Sequence, residues 1–157
     1  MKELSHLDRE GNARMVDVSA KEPTRREAAA TGRIRLGGNA SRALDRGTVP
    51  KGDVFAAARL GAISAVKRTW ESIPLCHPLR IGGVEVDLTK TGDTVTATCR
   101  VTGIESTGFE MEALNGVMTA LLVIYDMTKS LDRGMEIDRV RLISKSGGKS
   151  GEYRWQE

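Results

Sequence analysis

The chain has 157 residues, which suits one domain with a substantial buried core. Its 24 Lys and Arg residues outnumber 21 Asp and Glu, and the resulting net charge of +3 suits an anionic ligand without requiring one. Scarce, scattered aromatic residues argue against a surface that stacks on nucleic acid, and the absence of a membrane-length apolar run or an N-terminal secretion signal leads us to expect a cytoplasmic protein.

The order of apolar patterns predicts an α+β, ferredoxin-like βαββαβ fold with short N-terminal additions, in which both long helices cover one face of an antiparallel sheet. Alternating residues indicate the strands, and capping residues with glycine stops indicate the helices. The predicted elements are strands at Met15–Val18 and Thr24–Leu36, a short helix at Ala40–Arg46, a helix from Val54 to about Trp70, a hairpin at 84–88 and 94–102, a helix from Glu110 to about Asp132, and a strand at Glu136–Ser144. We expect residues 1–157 to form a single domain, with 1–14 and 145–157 loosely held.

The first long helix is predicted to have Asp53 as its N-cap and an apolar stripe at positions 56, 60, 63, 67 and 70. Lys67 falls on this stripe. Either its charge reaches solvent at the edge of the stripe, or it binds an anion in a pocket, and the pattern leaves both readings open.

A proline-rich segment follows this helix and carries His77 between Pro74 and Pro78. Proline disfavours helical conformation in the residue before it, so Ile73 and His77 are expected to be extended. A stiff segment of this kind either closes a surface turn or presents one side chain at a fixed place.

The second long helix is predicted to begin with a capping box at Thr107–Glu110. Two lines of side chains run along it. The apolar line is Met111, Leu114, Met118, Leu121 and Tyr125, and the mostly polar line is Glu112, Asn115, Thr119, Leu122, Asp126 and Lys129. By itself the polar line indicates an exposed face with an Asp126–Lys129 ion pair.

The cysteines and the C-terminal segment give weaker signals. Cys76 and Cys99 are expected to be reduced thiols, and with His6 and His77 they offer no chelating pair at zinc spacing, so we predict no metal site.

The Lys145–Gly151 segment fails the phosphate-loop pattern, which leaves a flexible tail or an anion contact through a lysine.

Four groups of short stretches, spread over nearly the whole chain, are informative in combination. They are Met15-Val-Asp-Val-Ser19, Lys51-Gly-Asp53 with Ile73-Pro-Leu-Cys-His-Pro-Leu79, Glu110-Met-Glu-Ala-Leu114 with Ile124-Tyr-Asp-Met127, and Val140-Arg-Leu142 with Lys145-Ser-Gly-Gly-Lys-Ser-Gly151. Together they resemble the molybdenum cofactor biosynthesis protein C family, and the combination is far more specific than any one stretch.

This resemblance implies conversion of 3',8-cyclo-7,8-dihydroguanosine 5'-triphosphate into cyclic pyranopterin monophosphate with release of pyrophosphate. It also implies a homohexamer, built as a trimer of dimers with interfacial active sites, and no redox cofactor, while a divalent cation on the triphosphate stays open. The matching residues are Lys51, Asp126 and Lys129 as catalytic residues and Leu75, Cys76, His77, Met111, Glu112, Lys67, Arg26 and Lys145 as substrate-binding residues.

The chemistry of these side chains suits the implied roles. Asp126 orients a lysine or acts as a base, His77 and Glu112 suit the amide and amine edges of the guanine-derived ring, and the cationic side chains suit the triphosphate. Glu112 and Asp126 are about 21 Å apart along one helix, so an extended substrate or two subunits are needed. The alternative function is a ferredoxin-like regulatory domain that binds an anionic metabolite without chemistry.

Overall fold

The computed structural model describes residues 10–149 and 151–156. Within these residues the chain forms five strands and four helices. They are β1 (Thr24–Arg35), α1 (Gly38–Asp45), α2 (Val54–Val66), α3 (Thr69–Ser72), β2 (Gly83–Thr91), β3 (Thr94–Glu105), α4 (Glu110–Thr128), β4 (Glu136–Ser146) and β5 (Tyr153–Arg154).

The strands form one antiparallel sheet in the order β2-β3-β1-β4-β5. Helices α2 and α4 pack against each other, and α4 lies across β1 and β3. The core is enclosed between these helices and the sheet, and it includes Ala28, Ile34, Val101 and Leu121. The predicted α+β ferredoxin-like fold is therefore confirmed, with α1, α3 and β5 as additions.

The hairpin of β2 and β3 matches its prediction closely. Thr91 pairs with Thr94, so the connecting turn consists of Gly92 and Asp93. Gly92 has a φ of +55°, a conformation that glycine adopts without steric cost. The apolar face of the hairpin is buried, and the opposite sheet face carries ion pairs such as Arg33–Asp138, as the alternation predicted.

The prediction of a strand at Met15–Val18 is wrong. These residues pair with no strand of the sheet. Instead they pack beside the segment that precedes β2, where the Val16 carbonyl oxygen lies 2.9 Å from Nε2 of His77. The alternating apolar residues Val16 and Val18 therefore line a cavity and do not pair in the sheet. His6, the other histidine of the sequence, lies outside the described residues.

The first long helix is shorter than predicted, and its buried face is not the predicted apolar stripe. Asp53 does cap it, because its Oδ1 accepts a hydrogen bond from Ala56 N at 2.9 Å. The helix ends at Val66, however, and Lys67 and Arg68 separate it from α3. The buried face consists of Val54, Ala58, Ala62 and Val66, whereas Leu60 is 69% exposed and Lys67 is also exposed. Because α2 is apolar on nearly every side, spacing alone does not select its core face.

The second long helix also departs from three predictions. Phe109 is its N-cap residue and no side chain caps it, so the predicted capping box is absent. Met111 and Met118 of the predicted apolar stripe are exposed, whereas Val117, Leu121 and small residues face the core. The helix ends at Thr128, a few residues before the predicted end.

The C-terminal part continues the sheet beyond the predicted strand. Strand β4 includes Lys145 and Ser146, and Tyr153 returns to pair with Lys145 as part of β5. Gly147 and Gly148 form the bend after β4, and both have positive φ. None of the helices in the described part of the chain has the length and apolar character needed to cross a membrane.

Candidate active site

A cavity of about 270 Å³ lies at the start of α4. Three pieces of chain enclose it: the N-terminal segment from Val16 to Lys21, the proline-rich segment before β2, and the first turn of α4 with the residues before it. The structure brings together here five of the predicted substrate-binding residues. They are Leu75, Cys76, His77, Met111 and Glu112.

Hydrogen bonds from α4 hold the break between α2 and α3, which comes before the proline-rich segment. Nδ2 of Asn115 donates to the Ala65 carbonyl oxygen at 3.1 Å and to Oγ1 of Thr69 at 3.2 Å. The Thr69 hydroxyl in turn donates to the carbonyl groups at the end of α2. These bonds stabilise the break between α2 and α3, so Asn115, which the sequence placed on a polar face, has a structural role.

His77 ties the proline-rich segment to the N-terminal segment. Its Nε2 lies 2.9 Å from the Val16 carbonyl oxygen, and because that oxygen only accepts hydrogen bonds, Nε2 carries the proton. Nδ1 is the ring nitrogen left for a ligand. This contact spans 61 residues of sequence and was not predicted.

Glu112 is the buried acidic group of the cavity, with only 3% of its surface exposed. Burial raises the pKa of its carboxyl to about 7, and the charge of Glu110 adds to this rise. The pKa of the Cys76 thiol is also raised, first by burial and then by Glu112. Glu112 therefore changes its charge near neutral pH.

A second cavity of about 680 Å³ adjoins the first. Arg26 lines it and is held by the loop before α4, since Nε donates to Glu105 O at 2.8 Å and Nη2 donates to Ser106 O at 3.1 Å. Lys145 lies beside this loop, with Nζ 3.5 Å from Oε1 of Glu110. Two of the predicted cationic contacts thus lie near this second cavity.

The predicted catalytic residues meet at the other end of α4. Nζ of Lys51 lies 2.7 Å from Oδ2 of Asp126 and 2.9 Å from the backbone carbonyl oxygen of Asp126. Nζ of Lys129 lies 2.6 Å from Oδ1 of Asp126. Hydrogen bonds from Lys129 and Lys51 lower the pKa of Asp126 to about 2. The carboxylate is therefore ionised across the physiological range, and it holds two ammonium groups side by side on the surface.

The two groups of residues are separated within one chain. Glu112 and Asp126 belong to the same continuous helix, which sets them about 21 Å apart. Lys67 lies at the end of α2 and lines neither of the two cavities. One chain thus carries the cavity that contains Glu112 and the lysine–aspartate cluster in different places.

Sequence reasoning missed several residues of the cavity wall, namely Val16, Val18, Lys21 and Glu110. The first two belong to the Met15–Ser19 stretch, which shares the family resemblance but whose alternation predicts a strand. Glu110 was explained by helix capping, whereas in the structure it pairs with Lys145. No local pattern marked Lys21. Among residues 10–149 and 151–156, no group of three or more His, Cys, Asp or Glu side chains is arranged to hold a metal ion.

Comparison with known proteins gives matches over the full chain. The MoaC family matches residues 15–148. The chain is 50% identical over 159 residues to the cyclic pyranopterin monophosphate synthase of Novosphingobium aromaticivorans, with 100% of both chains covered. It is also 50% identical to the protein of that name from Thermomicrobium roseum, covering 100% of this chain and 96% of the relative. Identity to the Heliobacterium modesticaldum protein of that name is 48%, again with 100% of both chains covered. This chain belongs to the MoaC family.

Proposed function

We propose that this chain is a cyclic pyranopterin monophosphate synthase that acts in molybdenum cofactor biosynthesis. Its substrate is 3',8-cyclo-7,8-dihydroguanosine 5'-triphosphate, and its products are cyclic pyranopterin monophosphate and pyrophosphate. The observation that carries this proposal is the Lys51–Asp126–Lys129 cluster, in a chain that is 50% identical over its full length to a synthase of this name. The release of pyrophosphate without hydrolysis makes the enzyme a lyase.

The lysine–aspartate cluster supplies acid and base groups for the reaction. Ring opening and reclosure require proton transfers, and the cyclic phosphate forms when a sugar hydroxyl attacks the α-phosphorus. The new P–O bond replaces the bond to the β-phosphate, pyrophosphate leaves, and the hydroxyl proton passes to a base. Asp126 fixes the positions of Lys51 and Lys129 so that one of them transfers protons at the reacting atoms.

The cavity at the other end of α4 binds the guanine-derived ring. In its ionised form Glu112 accepts two N–H donors from the amide and amine edge, and Nδ1 of His77 offers a further acceptor. Arg26, Lys145 and Lys67 attract the triphosphate. The proposal includes no redox cofactor because each step moves protons or a phosphoryl group, and it is compatible with a divalent cation bound to the triphosphate.

A complete active site in this proposal combines two subunits of a homohexamer, built as a trimer of dimers. Support comes from the separation of about 21 Å between Glu112 and Asp126 on one helix. Further support comes from exposed apolar side chains on the outer surfaces of α2 and α4, such as Leu60 and Leu122.

The test is incubation with the cyclic dihydroguanosine triphosphate, followed by measurement of pyrophosphate and cyclic pyranopterin monophosphate. We expect turnover by the wild-type protein and a loss of about 10²-fold to 10⁴-fold in kcat for Asp126→Asn, because the amide no longer holds the two ammonium groups. The matched control is Asp93→Asn in the β2–β3 turn, which should retain full activity.

The outcomes separate the two candidate functions. Substrate binding by the wild-type protein without pyrophosphate release would support the regulatory domain and refute the synthase. Full activity in Asp126→Asn would leave the synthase in place but remove the lysine–aspartate cluster from its mechanism.

A further inference from the structure

Lys51 lies in a tight turn between α1 and α2. Gly52 N donates a hydrogen bond to Val49 O at 3.0 Å, which closes Val49-Pro50-Lys51-Gly52 into a β-turn. Pro50 occupies the second position of this turn, where its ring fixes φ at the value that the turn requires. Val49 is buried and anchors the start of the turn in the core. The backbone of Lys51 is therefore held by a closed turn with a buried anchor.

Gly52 ends this turn and connects it to α2. Its φ is +96°, a conformation that residues with a Cβ rarely adopt. The next residue, Asp53, already caps α2, because its Oδ1 accepts a hydrogen bond from Ala56 N and its carbonyl oxygen accepts one from Ala57 N at 3.1 Å. A Cβ added at Gly52 would meet no atom within 4 Å. The backbone conformation, and not a lack of space, therefore requires glycine between the turn and the helix.

The side chain of Lys51 is not fixed by packing, since 45% of it is exposed. Its Nζ contacts two oxygens of Asp126 instead, Oδ2 and the backbone carbonyl oxygen. A lysine side chain is long and flexible, so its ammonium group stays at one place only when the backbone and the partner are both fixed. Lys129 lies three residues after Asp126 at the end of α4, and the helix itself sets that distance. Lys51 comes from a distant part of the chain and depends on its turn.

We infer that Gly52 is a positioning residue, whose backbone conformation directs the ammonium group of Lys51 to Asp126. Gly52 acts through Lys51 and contributes no side chain of its own. The inference rests on the proposed function, because that function gives Lys51 a part in the chemistry. A substitution that disfavours the φ of Gly52 shifts the turn relative to α2, and the contact between Lys51 and Asp126 is then lost.

The test measures Gly52→Ala in the full-length protein. The added Cβ meets no neighbour, so the substitution changes the backbone and creates no clash. We expect kcat to fall about tenfold to 100-fold, because a displacement of about 1 Å at a reacting group is enough for such a loss. KM should stay within about twofold, since the cavity with His77 and Glu112 lies at the other end of α4. Gly52→Asn should retain more activity, because asparagine tolerates positive φ better than alanine does.

Gly92→Ala in the β2–β3 turn is the matched control. Gly92 also has a positive φ, and a Cβ added there would also meet no atom within 4 Å. Both alanine variants should lower Tm, whereas only Gly52→Ala should lower kcat.

A double variant separates positioning from a general structural role. If Gly52 acts through Lys51, then Gly52→Ala should have no further effect once Lys51 is replaced by alanine. The residual kcat of Lys51→Ala and that of Lys51→Ala/Gly52→Ala should therefore be equal.

Wild-type kcat in Gly52→Ala would overturn the inference, and so would an equal loss of kcat in Gly92→Ala. A further loss of kcat when Gly52→Ala is added to Lys51→Ala would also overturn it. A crystal structure of Gly52→Ala needs no turnover: Nζ of Lys51 should lie more than about 4 Å from Oδ2 of Asp126, and a retained contact would contradict the inference. Failure of the wild-type protein to release pyrophosphate would refute the proposed function, while that structure would still decide whether Gly52 directs Lys51.

Discussion

Glu112 is buried in a cavity that opens to solvent, and this position links its protonation to both binding and stability. Burial disfavours the carboxylate, which raises the pKa to about 7. A ring that donates N–H groups stabilises the ionised form, so substrate binding should tighten as the pH rises through 7. At high pH Glu112 lowers the free energy of unfolding, because the folded chain must then bury its negative charge.

Substitution of Glu112 by Gln should change how stability depends on pH. Between about pH 4.5 and 7 the folded protein keeps the Glu112 proton that the unfolded chain releases, so the free energy of unfolding of the wild type falls as pH rises through this window. The glutamine side chain does not titrate, so the free energy of unfolding of Glu112→Gln does not fall in this way. Relative to the wild type, it should rise by up to about 3 kcal/mol between pH 4.5 and 8. Urea denaturation at both pH values measures the difference.

An exposed glutamate provides the control for this experiment. Glu71→Gln on α3 should show the same stability difference from wild type at both pH values. If the gap between Glu112→Gln and wild type were also independent of pH, Glu112 would not be buried in the folded protein as the structure describes.

Helices α2 and α4 pack closely because small residues lie at their contact. A Cβ added at Gly116 of α4 would lie 2.6 Å from Sγ of Cys99 and 2.9 Å from Cγ2 of Val66. Gly61 of α2 is similar, since a Cβ added there would lie 2.9 Å from Cγ2 of Val123. Glycine at these positions lowers helix propensity, and close packing of the two helices offsets that cost.

Gly116→Ala should therefore destabilise the protein, although alanine is the better helix former by about 1 kcal/mol. We expect a net loss of about 1–3 kcal/mol in the free energy of unfolding, because the new methyl group must displace a buried sulfur and a valine methyl. Denaturation of Gly116→Ala, Cys99→Ala and the double variant measures the coupling between the two positions. Recovery in the double variant supports the steric explanation, and a stabilised Gly116→Ala would contradict it.

The strands were more predictable from sequence than the helix faces. The alternation from Val84 to Leu88 identified the buried side of the hairpin, because only one side of that sheet is covered. In α2 the same reasoning failed, since Leu60 and Ala58 are both apolar and only packing against α4 decides which is buried. Capping was predictable for Asp53 but not for the second long helix, because Phe109 is the N-cap and Glu110 is the first helical residue, not the third residue after a Thr107 cap.

Some of the site residues were predictable from the sequence, but from the family resemblance and not from local patterns. Family resemblance supplied Leu75, Cys76 and His77, which the structure places in one cavity. The bond from His77 to Val16 and the position of Lys21 depend on contacts between distant segments, so no local pattern contains them. Physical reasoning on the sequence did supply one constraint that the structure retains, namely the distance between Glu112 and Asp126.

At the scale of the whole molecule, that distance makes the oligomer part of the proposed catalytic mechanism. The proposed ring-binding cavity lies at the start of α4, and the lysine–aspartate cluster lies at its end. A rigid helix of 19 residues cannot bring them together. If both act on one substrate molecule, a neighbouring subunit must bring its own cluster to the cavity.

Mixed oligomers test this arrangement directly. Glu112→Ala and Asp126→Ala chains, each inactive alone, should regain activity when differently tagged chains are co-expressed and the mixed oligomers are isolated. Random assembly gives about a quarter of the sites both intact residues, so activity should approach about a quarter of the wild-type value. The matched control combines Glu112→Ala with a Glu112→Ala/Asp126→Ala double variant, in which no site has both residues and activity should stay at background. Background activity in verified mixed oligomers of the two single variants would show that each site uses Glu112 and Asp126 of the same chain.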